Sequence, residues 1–328
     1  MAGDRPGEFE LIERHFAPLA RGFPGAFGLR NDIAVISPPA GYELIVKTAA
    51  IVAGVHFLPG DPAELIARKA LRVNLSDIAA GGGAPLAYQM ALALPADWTE
   101  DWVSRFCAGL AADQQEFHIH LCGGDTVSTP GPLTVSLTAF GLVPAGKAMG
   151  RAGARAGDDI WVSGTIGEHG MAVLSARERL DLDALRSDSA SIVELVGALF
   201  DAGIDIRLMR DPTRGGLCAV LHEFAEAAGV TFRLEEASIP VSERVRGACE
   251  LLGIDPVYAA CEGRFVAVVP ADDADRAVRV LREHPSAAAA AIVGDVLPRG
   301  ITPVIVRNAF GSQRPLDEPS GVLLPRIC

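Results

Sequence analysis

A two-domain α/β fold is predicted by three observations. Strand-like and helical patterns alternate along the chain. Glycine and alanine crowd the stretch GRAGARAGDDIWVSGTIG and break the alternation near residue 150. The length of 328 residues exceeds what one hydrophobic core usually serves. The break divides the chain into 1–150 and 151–328. Residues 312–328 are read as a mobile tail, because PLDEPSGVLLPRIC is proline-rich and has no periodicity.

The first element, over 8–20, reads as a short amphipathic helix with Phe9, Leu11, Ile12, Phe16 and Leu19 at helical spacing. ELIVKTAAIVAGVHF reads as strand material. GDPAELIARKALRVNLSDIAA reads as a helix capped by Asp61, with Pro62 at its first position and an apolar stripe of Leu65, Ile66, Leu71 and Leu75. A second helix, DWTEDWVSRFCAGLAADQQEF, places Trp102, Phe106 and Leu110 on one face, and PLTVSLTAFGLV follows as a strand. Beyond the break, DIWVSG, GRFVAVVP and TPVIVRN read as strands. RGGLCAVLHEFAEAAG reads as a helix whose Leu217, Val220, Leu221, Phe224 and Ala228 face inward and whose C-cap is Gly229.

Apolar residues make up 49% and charged residues 21%, as in ordinary globular proteins. Acids outnumber bases 41 to 29, a formal charge of -12, which argues against a nucleic-acid partner. The polar start MAGDRPGEFE is no signal peptide, and no apolar run is long enough to span a membrane. None of the six cysteines forms a CxxC pair, so reduced thiols and a cytoplasmic location are expected.

Candidate chemistry rests on carboxylates beside glycine-rich turns: Asp32 in LRNDIAV, Asp77 in NLSDIAAGGG, Asp125 in CGGDTVS and Asp211 in RDPTRGG. A magnesium–nucleotide site needs a few hard oxygen ligands, and backbone without Cβ atoms where phosphates approach. Each stretch alone equally suits turn chemistry; four in an acidic chain bring the functional reading level with the structural one. Among the histidines, His56 reads as buried, His118 and His120 as alternating along a strand, His169 as solvated in a turn, and His222 as lying near the exposed side of its helix. Cys218 reads as core, and the run Ala287–Ala291 as filler.

These segments resemble the aminoimidazole ribonucleotide synthetase superfamily of ATP-binding enzymes over nearly the whole chain. Residues 7–165 resemble thiamine-monophosphate kinase in GEFELIERHFAPLA, AGVHFLPGDPAELIARKALRVNLSDIAA, GLAADQQEF and GGDTVSTPGPLTVSLTAFGLVPAGKAM. The remainder resembles the HypE family of hydrogenase maturation proteins in VSGTIGEHGMAVL, RDPTRGGLCAVLHEFAEAAGV, VRGACELLGID, CEGRFVAVV and PRIC. Asn31 and Ala49 stand where the family pattern is acidic. The resemblance implies a fold whose N-terminal sheet joins a second copy in a homodimeric β-barrel and whose C-terminal sheet is covered by helices.

The HypE resemblance also implies an activity. A partner carbamoyltransferase loads Cys328 as a thiocarbamate. ATP phosphorylates the carbamoyl oxygen, and loss of phosphate leaves a thiocyanate, which passes to an iron–cyanide scaffold protein. Glu262 would be the general base. Asp77, Gly124, Asp125, Thr126 and Arg214 would bind the nucleotide, and Asp32, Asp77, Asp125 and Asp211 the magnesium. The kinase resemblance implies instead phosphoryl transfer onto a small substrate's phosphate, with Cys328 idle. A third reading is a nucleotide-binding scaffold without turnover.

Overall fold

The computed structural model describes residues 6–178, 180, 182 and 185–319. The chain forms two compact units, Met1–Ala148 and Met149–Cys328.

Unit 1 opens with α1 (Glu8–Leu11), which widens into a π turn over Ile12–Phe16 and tightens into a 3-10 turn over Ala17–Ala20. A uniform helix was expected here. Pro18, which has no N–H to donate, accompanies the tightening. Leu11, Phe16 and Leu19 are buried, while Phe9 is exposed.

Four strands follow: β1 (Tyr42–Val52), β2 (Ala84–Pro95), β3 (His120–Thr129) and β4 (Thr134–Pro144), in the order β1-β4-β2-β3. Only β2 and β3 run parallel. Along β4, Val135, Leu137, Ala139 and Val143 are buried and alternate with half-buried residues, the pattern of a sheet with one covered face. Helix α2 (Ala63–Ala80) packs on β1, β4 and β2, and α3 (Glu100–Phe117) packs on α2. On β1, Val46, Thr48 and Ala50 remain exposed.

The cap of α2 is Pro62, whose carbonyl accepts the Ile66 N–H at 3.1 Å. The Asp61 carboxylate instead accepts the Leu58 N–H at 2.8 Å. Leu65 lies outside the buried stripe. His118 ends α3 in the left-handed region, φ 52, so it does not share a strand with His120. The two helices are joined by Asp113, whose side chain is 0% exposed. It accepts Arg68 Nε at 2.9 Å and Arg72 Nε and Nη2 at 2.8 Å each, and Arg72 also reaches Glu116 at 2.9 Å. Hydrogen bonding to Asp113 raises the guanidinium pKa of Arg72 above its usual value.

Unit 2 is built on β5 (Asp158–Val162), followed by α4 (Glu168–Glu178), α5 (Val193–Asp201), β6 (Leu208–Arg210) and α6 (Gly216–Ala228). Then come β7 (Val230–Glu235), α7 (Glu243–Leu252), β8 (Val266–Pro270), α8 (Ala271–Arg282), β9 (Ala291–Pro298), β10 (Val304–Arg307) and β11 (Gln313–Pro315). The seven strands order as β11-β10-β7-β9-β5-β8-β6. Helix α6 packs on β7 and β10, and α8 packs on β5, β8 and β9. Leu217, Val220, Leu221 and Phe224 of α6 join Ile160, Val162, Val266, Val268 and Val296 in one core, and Gly229 caps the helix at φ 66. The alanine run is not filler: Ala287 and Ala290 are buried, and Ala291 begins β9.

The tail, expected to lack secondary structure from residue 312, begins as β11, paired antiparallel to β10. Leu316 then drops into the core at 1% exposure, and its N–H donates to the Val304 carbonyl at 3.0 Å. One buried leucine and a sheet edge suffice to order a segment without sequence periodicity.

Replacing Asp113 by alanine removes the buried partner of two guanidinium groups and leaves them to Glu116. The expected loss is about 3 kcal/mol of unfolding free energy in denaturant titration, the lower end for breaking a buried pair, because Arg68 is partly solvated. An unchanged midpoint would contradict the role given to this network.

Candidate active site

In unit 1 the structure places Asp77 on the last turn of α2 and Asp125 within β3, so neither sits in a turn. Asp32 alone of the three lies in an exposed bend. The glycines misled the reading. Gly124 is a strand residue whose missing Cβ lets β3 lie against the Met90 carbonyl, and Gly81 to Gly83 follow α2 without shortening it. Asp125 is exposed and stands opposite Ala91 in the register, with Thr126 opposite Leu92. Asp77 is paired with Lys47 of β1 at 2.8 Å. Sequence reasoning passed over Lys47, although it is the only charge in the strand interior VKTAAIV.

In unit 2, β6 delivers Asp211 into the loop that starts α6. Asp211 is buried and Arg214 exposed. Gly215 and Gly216 both have positive φ, 71 and 60. Gly216 is obligatory, because a Cβ there would meet the backbone of 257–259. The same loop meets the segment bearing Glu262: the Cys261 N–H donates to the Pro212 carbonyl at 2.9 Å.

Glu262 is 4% exposed. It sits in a small buried cluster supplied by three stretches. The first turn of α4 brings Glu168 and His169. The stretch before α5 brings Ser187 and Asp188. The loop entering β8 brings Cys261, Glu262 and Arg264. The Glu262 N–H donates to Asp188 Oδ1 at 3.1 Å. His169 Nε2 faces Glu262 Oε1 at 4.0 Å, and His169 Nδ1 bonds Ser187 Oγ at 2.8 Å. His169 is 2% exposed, so its expected solvated position is wrong. Gly167, at φ 89, turns the chain and donates its N–H to Cys261 Sγ at 3.2 Å, which draws the imidazole inward. Any Cβ on Gly263 would collide with the Asp188 carbonyl, so the 188–190 backbone lies flush on the loop.

Burial pushes the Asp188 carboxyl up to about 6. The negative charge of Glu168 adds to this, while the Glu262 N–H and Arg264 oppose it. Asp188 Oδ2 and Glu168 Oε2 are sealed from solvent without a hydrogen-bond partner among the described residues. Ser187 and Asp188 escaped the sequence reading because their stretch has neither periodicity nor a glycine signature.

The tail arrives beside this region. The carbonyl of Leu316 accepts His222 Nε2 at 2.8 Å. The carbonyl of Asp317 accepts the Tyr258 hydroxyl at 2.9 Å and Cys218 Sγ at 3.3 Å. Pro319 abuts Gly215 closely enough that a Cβ on the glycine would touch its ring. Cys328 itself lies outside the described residues. The other five cysteines are all buried. Burial raises Cys107 and Cys218 to about 12, Cys122 and Cys249 to about 11, and Cys261 well above the usual thiol range.

Among the described residues, no group of three or more His, Cys, Asp or Glu side chains stands ready for a metal ion, and no helix is long and apolar enough to cross a membrane.

A fold of two α/β units defines a class, and comparison with known proteins identifies it. The family described as AIR synthase related protein matches through its N-terminal domain over residues 30–143 and through its C-terminal domain over 155–307. The chain belongs to this family and, within it, to the carbamoyl dehydratase HypE group. It is 39% identical to the carbamoyl dehydratase HypE of Cupriavidus necator over 303 residues, 91% of this chain and 86% of that one. Among solved structures, it superposes on the hydrogenase maturation protein HypE in complex with ATP with a TM-score of 0.87 at 30% identity, covering 99% of this chain and 98% of that one. A HypE–HypF complex gives 0.77 at 29% identity, covering 90% and 99%. The thiamine-monophosphate kinase of Stenotrophomonas maltophilia is a more distant neighbour, at 0.72 and 30% identity over 91% and 97%. The HypE match runs through both halves, including the part whose motifs read as kinase-like.

The raised Asp188 pKa has a sign that can be checked. The folded protein prefers the neutral carboxyl, so stability falls as pH rises from 3.8 to about 6, where the unfolded chain ionises first. Asp188→Asn removes that dependence. Its melting temperature relative to the parent is expected to climb across this window in thermal scans, and a pH-independent difference would contradict the burial of this carboxyl.

Proposed function

We propose that the protein is an ATP-dependent carbamoyl dehydratase of hydrogenase maturation, which converts a carbamoyl group on Cys328 into a thiocyanate for cyanide ligand synthesis. The observation that carries this reading is the anchoring of the tail beside the loop of a buried glutamate. Residues 316–319 are clipped to α6 and Tyr258, against the 211–216 loop that touches Cys261. Eight residues lie between Pro319 and Cys328, a span of at most about 30 Å when extended. We take this reach to bring Cys328 to Glu262. The five buried cysteines, kept protonated, leave Cys328 as the candidate thiolate.

Each residue then has a role. Phosphorylation of the carbamoyl oxygen makes it a leaving group. Glu262, nearly sealed from water, accepts a proton from the carbamoyl nitrogen. In unit 1, Asp77, Gly124, Asp125 and Thr126 are assigned to the nucleotide, and Asp32, Asp77 and Asp125 are candidate magnesium ligands. In unit 2, taken by itself, the exposed Arg214 is assigned to phosphate, and Asp211 is a further candidate magnesium ligand. A magnesium ion held by such carboxylates would neutralise charge on the transferring phosphoryl group. Lys47 neutralises Asp77 when no cation is bound.

A second copy is the proposed partner of the half-covered sheet of unit 1, whose exposed Val46, Thr48 and Ala50 suit closure into a barrel. A carbamoyltransferase that loads Cys328, an iron–cyanide scaffold that receives the product, and a cytoplasmic location complete the reading. Kinase activity is the less favoured alternative, because it gives the anchored tail no task.

Incubation with ATP, the carbamoyltransferase and a carbamoyl donor is expected to add a carbamoyl mass to the terminal peptide and then to convert it to a product lighter by one water. Cys328→Ala is expected to abolish donor-dependent ATP hydrolysis. Hydrolysis that survives this change would overturn the assignment.

A further inference from the structure

Dehydration must export a proton. A thiocarbamate and ATP yield a thiocyanate, ADP, hydrogen phosphate and one free proton. In the first step the γ-phosphoryl group moves to the carbamoyl oxygen while one N–H bond breaks and a C=N bond forms. In the second the C–O bond breaks, phosphate leaves with the electron pair, the remaining N–H bond breaks and the nitrile forms. Of the two nitrogen protons, one leaves on phosphate and the other must reach solvent. Glu262 receives it in a place that water barely reaches, at 4% exposure. A base with no outlet performs one turnover and stays protonated.

We infer that His169 and Ser187 form the proton exit of Glu262, a wire of two residues from the buried carboxylate to the surface. His169 Nε2 faces Glu262 Oε1 at 4.0 Å, a gap that a small rotation of the glutamate closes to hydrogen-bond length. On its far side, His169 Nδ1 is already bonded to Ser187 Oγ at 2.8 Å. The burial is graded along this line: the glutamate and the imidazole are sealed, and Ser187 is exposed.

Nε2 takes the proton from Glu262. Nδ1–H passes its own proton to Ser187 Oγ, and the serine hydroxyl releases one to water. The cycle closes when the ring, now the Nε2–H tautomer, loses that proton to water and takes one back at Nδ1 through Ser187, which leaves the net export at one proton. No oxidant, reductant or further reactant is needed. An imidazole suits this step because its proton affinity lies near neutral pH.

The serine is itself fixed. Its Oγ accepts the Ser189 N–H at 3.0 Å, and its neighbour Asp188 holds the Glu262 main chain at 3.1 Å. The 187–189 segment thus registers both ends of the wire on one short stretch of backbone. Beside the pair, the charges of Glu168 from α4 and Arg264 from the loop entering β8 act on Asp188 of the same segment.

The inference rests on Glu262 being the base, and the test separates the two claims. Donor-dependent ATP hydrolysis is measured for the parent, Glu262→Gln, His169→Ala and Ser187→Ala, with the carbamoyltransferase in excess. His169→Ala is expected to lose about tenfold or more in kcat with the KM for ATP unchanged, and added imidazole is expected to restore the rate in proportion to its concentration. Ser187→Ala, at an exposed position that folding tolerates, is expected to lose several-fold in kcat. Parent kcat in Ser187→Ala, or a His169→Ala defect that imidazole does not move, overturns the exit while an inactive Glu262→Gln leaves the base standing. Parent kcat in Glu262→Gln overturns the base and the exit with it.

Discussion

One backbone contact organises the candidate site: the hydrogen bond from the Cys261 N–H to the Pro212 carbonyl. It joins the loop that starts α6 to the loop that enters β8, which sit at two places along one sheet. Gly216 makes the approach possible, since any side chain there would strike the 257–259 backbone. Tyr258, in that same stretch, reaches out to the Asp317 carbonyl and fixes the tail. Asp211, Glu262 and the tail therefore share one rigid seam. Displacing any of the three loops would move the others.

The electrostatics of unit 2 follow from burial. Burial raises the Asp188 carboxyl, the negative charge of Glu168 adds to this, and the Glu262 N–H and Arg264 oppose it. Unit 1 handles buried charge differently. Asp113 is saturated by two guanidinium groups and is purely structural, while Asp77 and Asp125 stay within reach of solvent.

Much of the fold was legible in the sequence, because α3, α6, β4, β5 and β10 follow the periods of buried elements. The motifs were legible too, since CEGR and RDPTRGG are contiguous. Their setting was not. Asp125 read as a turn residue because two glycines precede it, yet those glycines serve the close packing of β3 on β2. His169 read as solvated because it stands between glycines, yet the positive-φ Gly167 folds it inward. Ser187 and Asp188 were invisible because their role arises from a long-range contact with residues 169 and 262. The order in β11 and Leu316 depends on an edge strand lent by β10, which no local pattern announces.

The central claim is that the anchored tail brings the thiol of Cys328 to the position of Glu262. Glu262→Cys tests it directly. After mild oxidation of the dilute variant, peptide mass mapping is expected to find a disulfide between position 262 and Cys328. A Cys328 that reacts freely with solvent thiol reagents but never forms that bond would contradict the account.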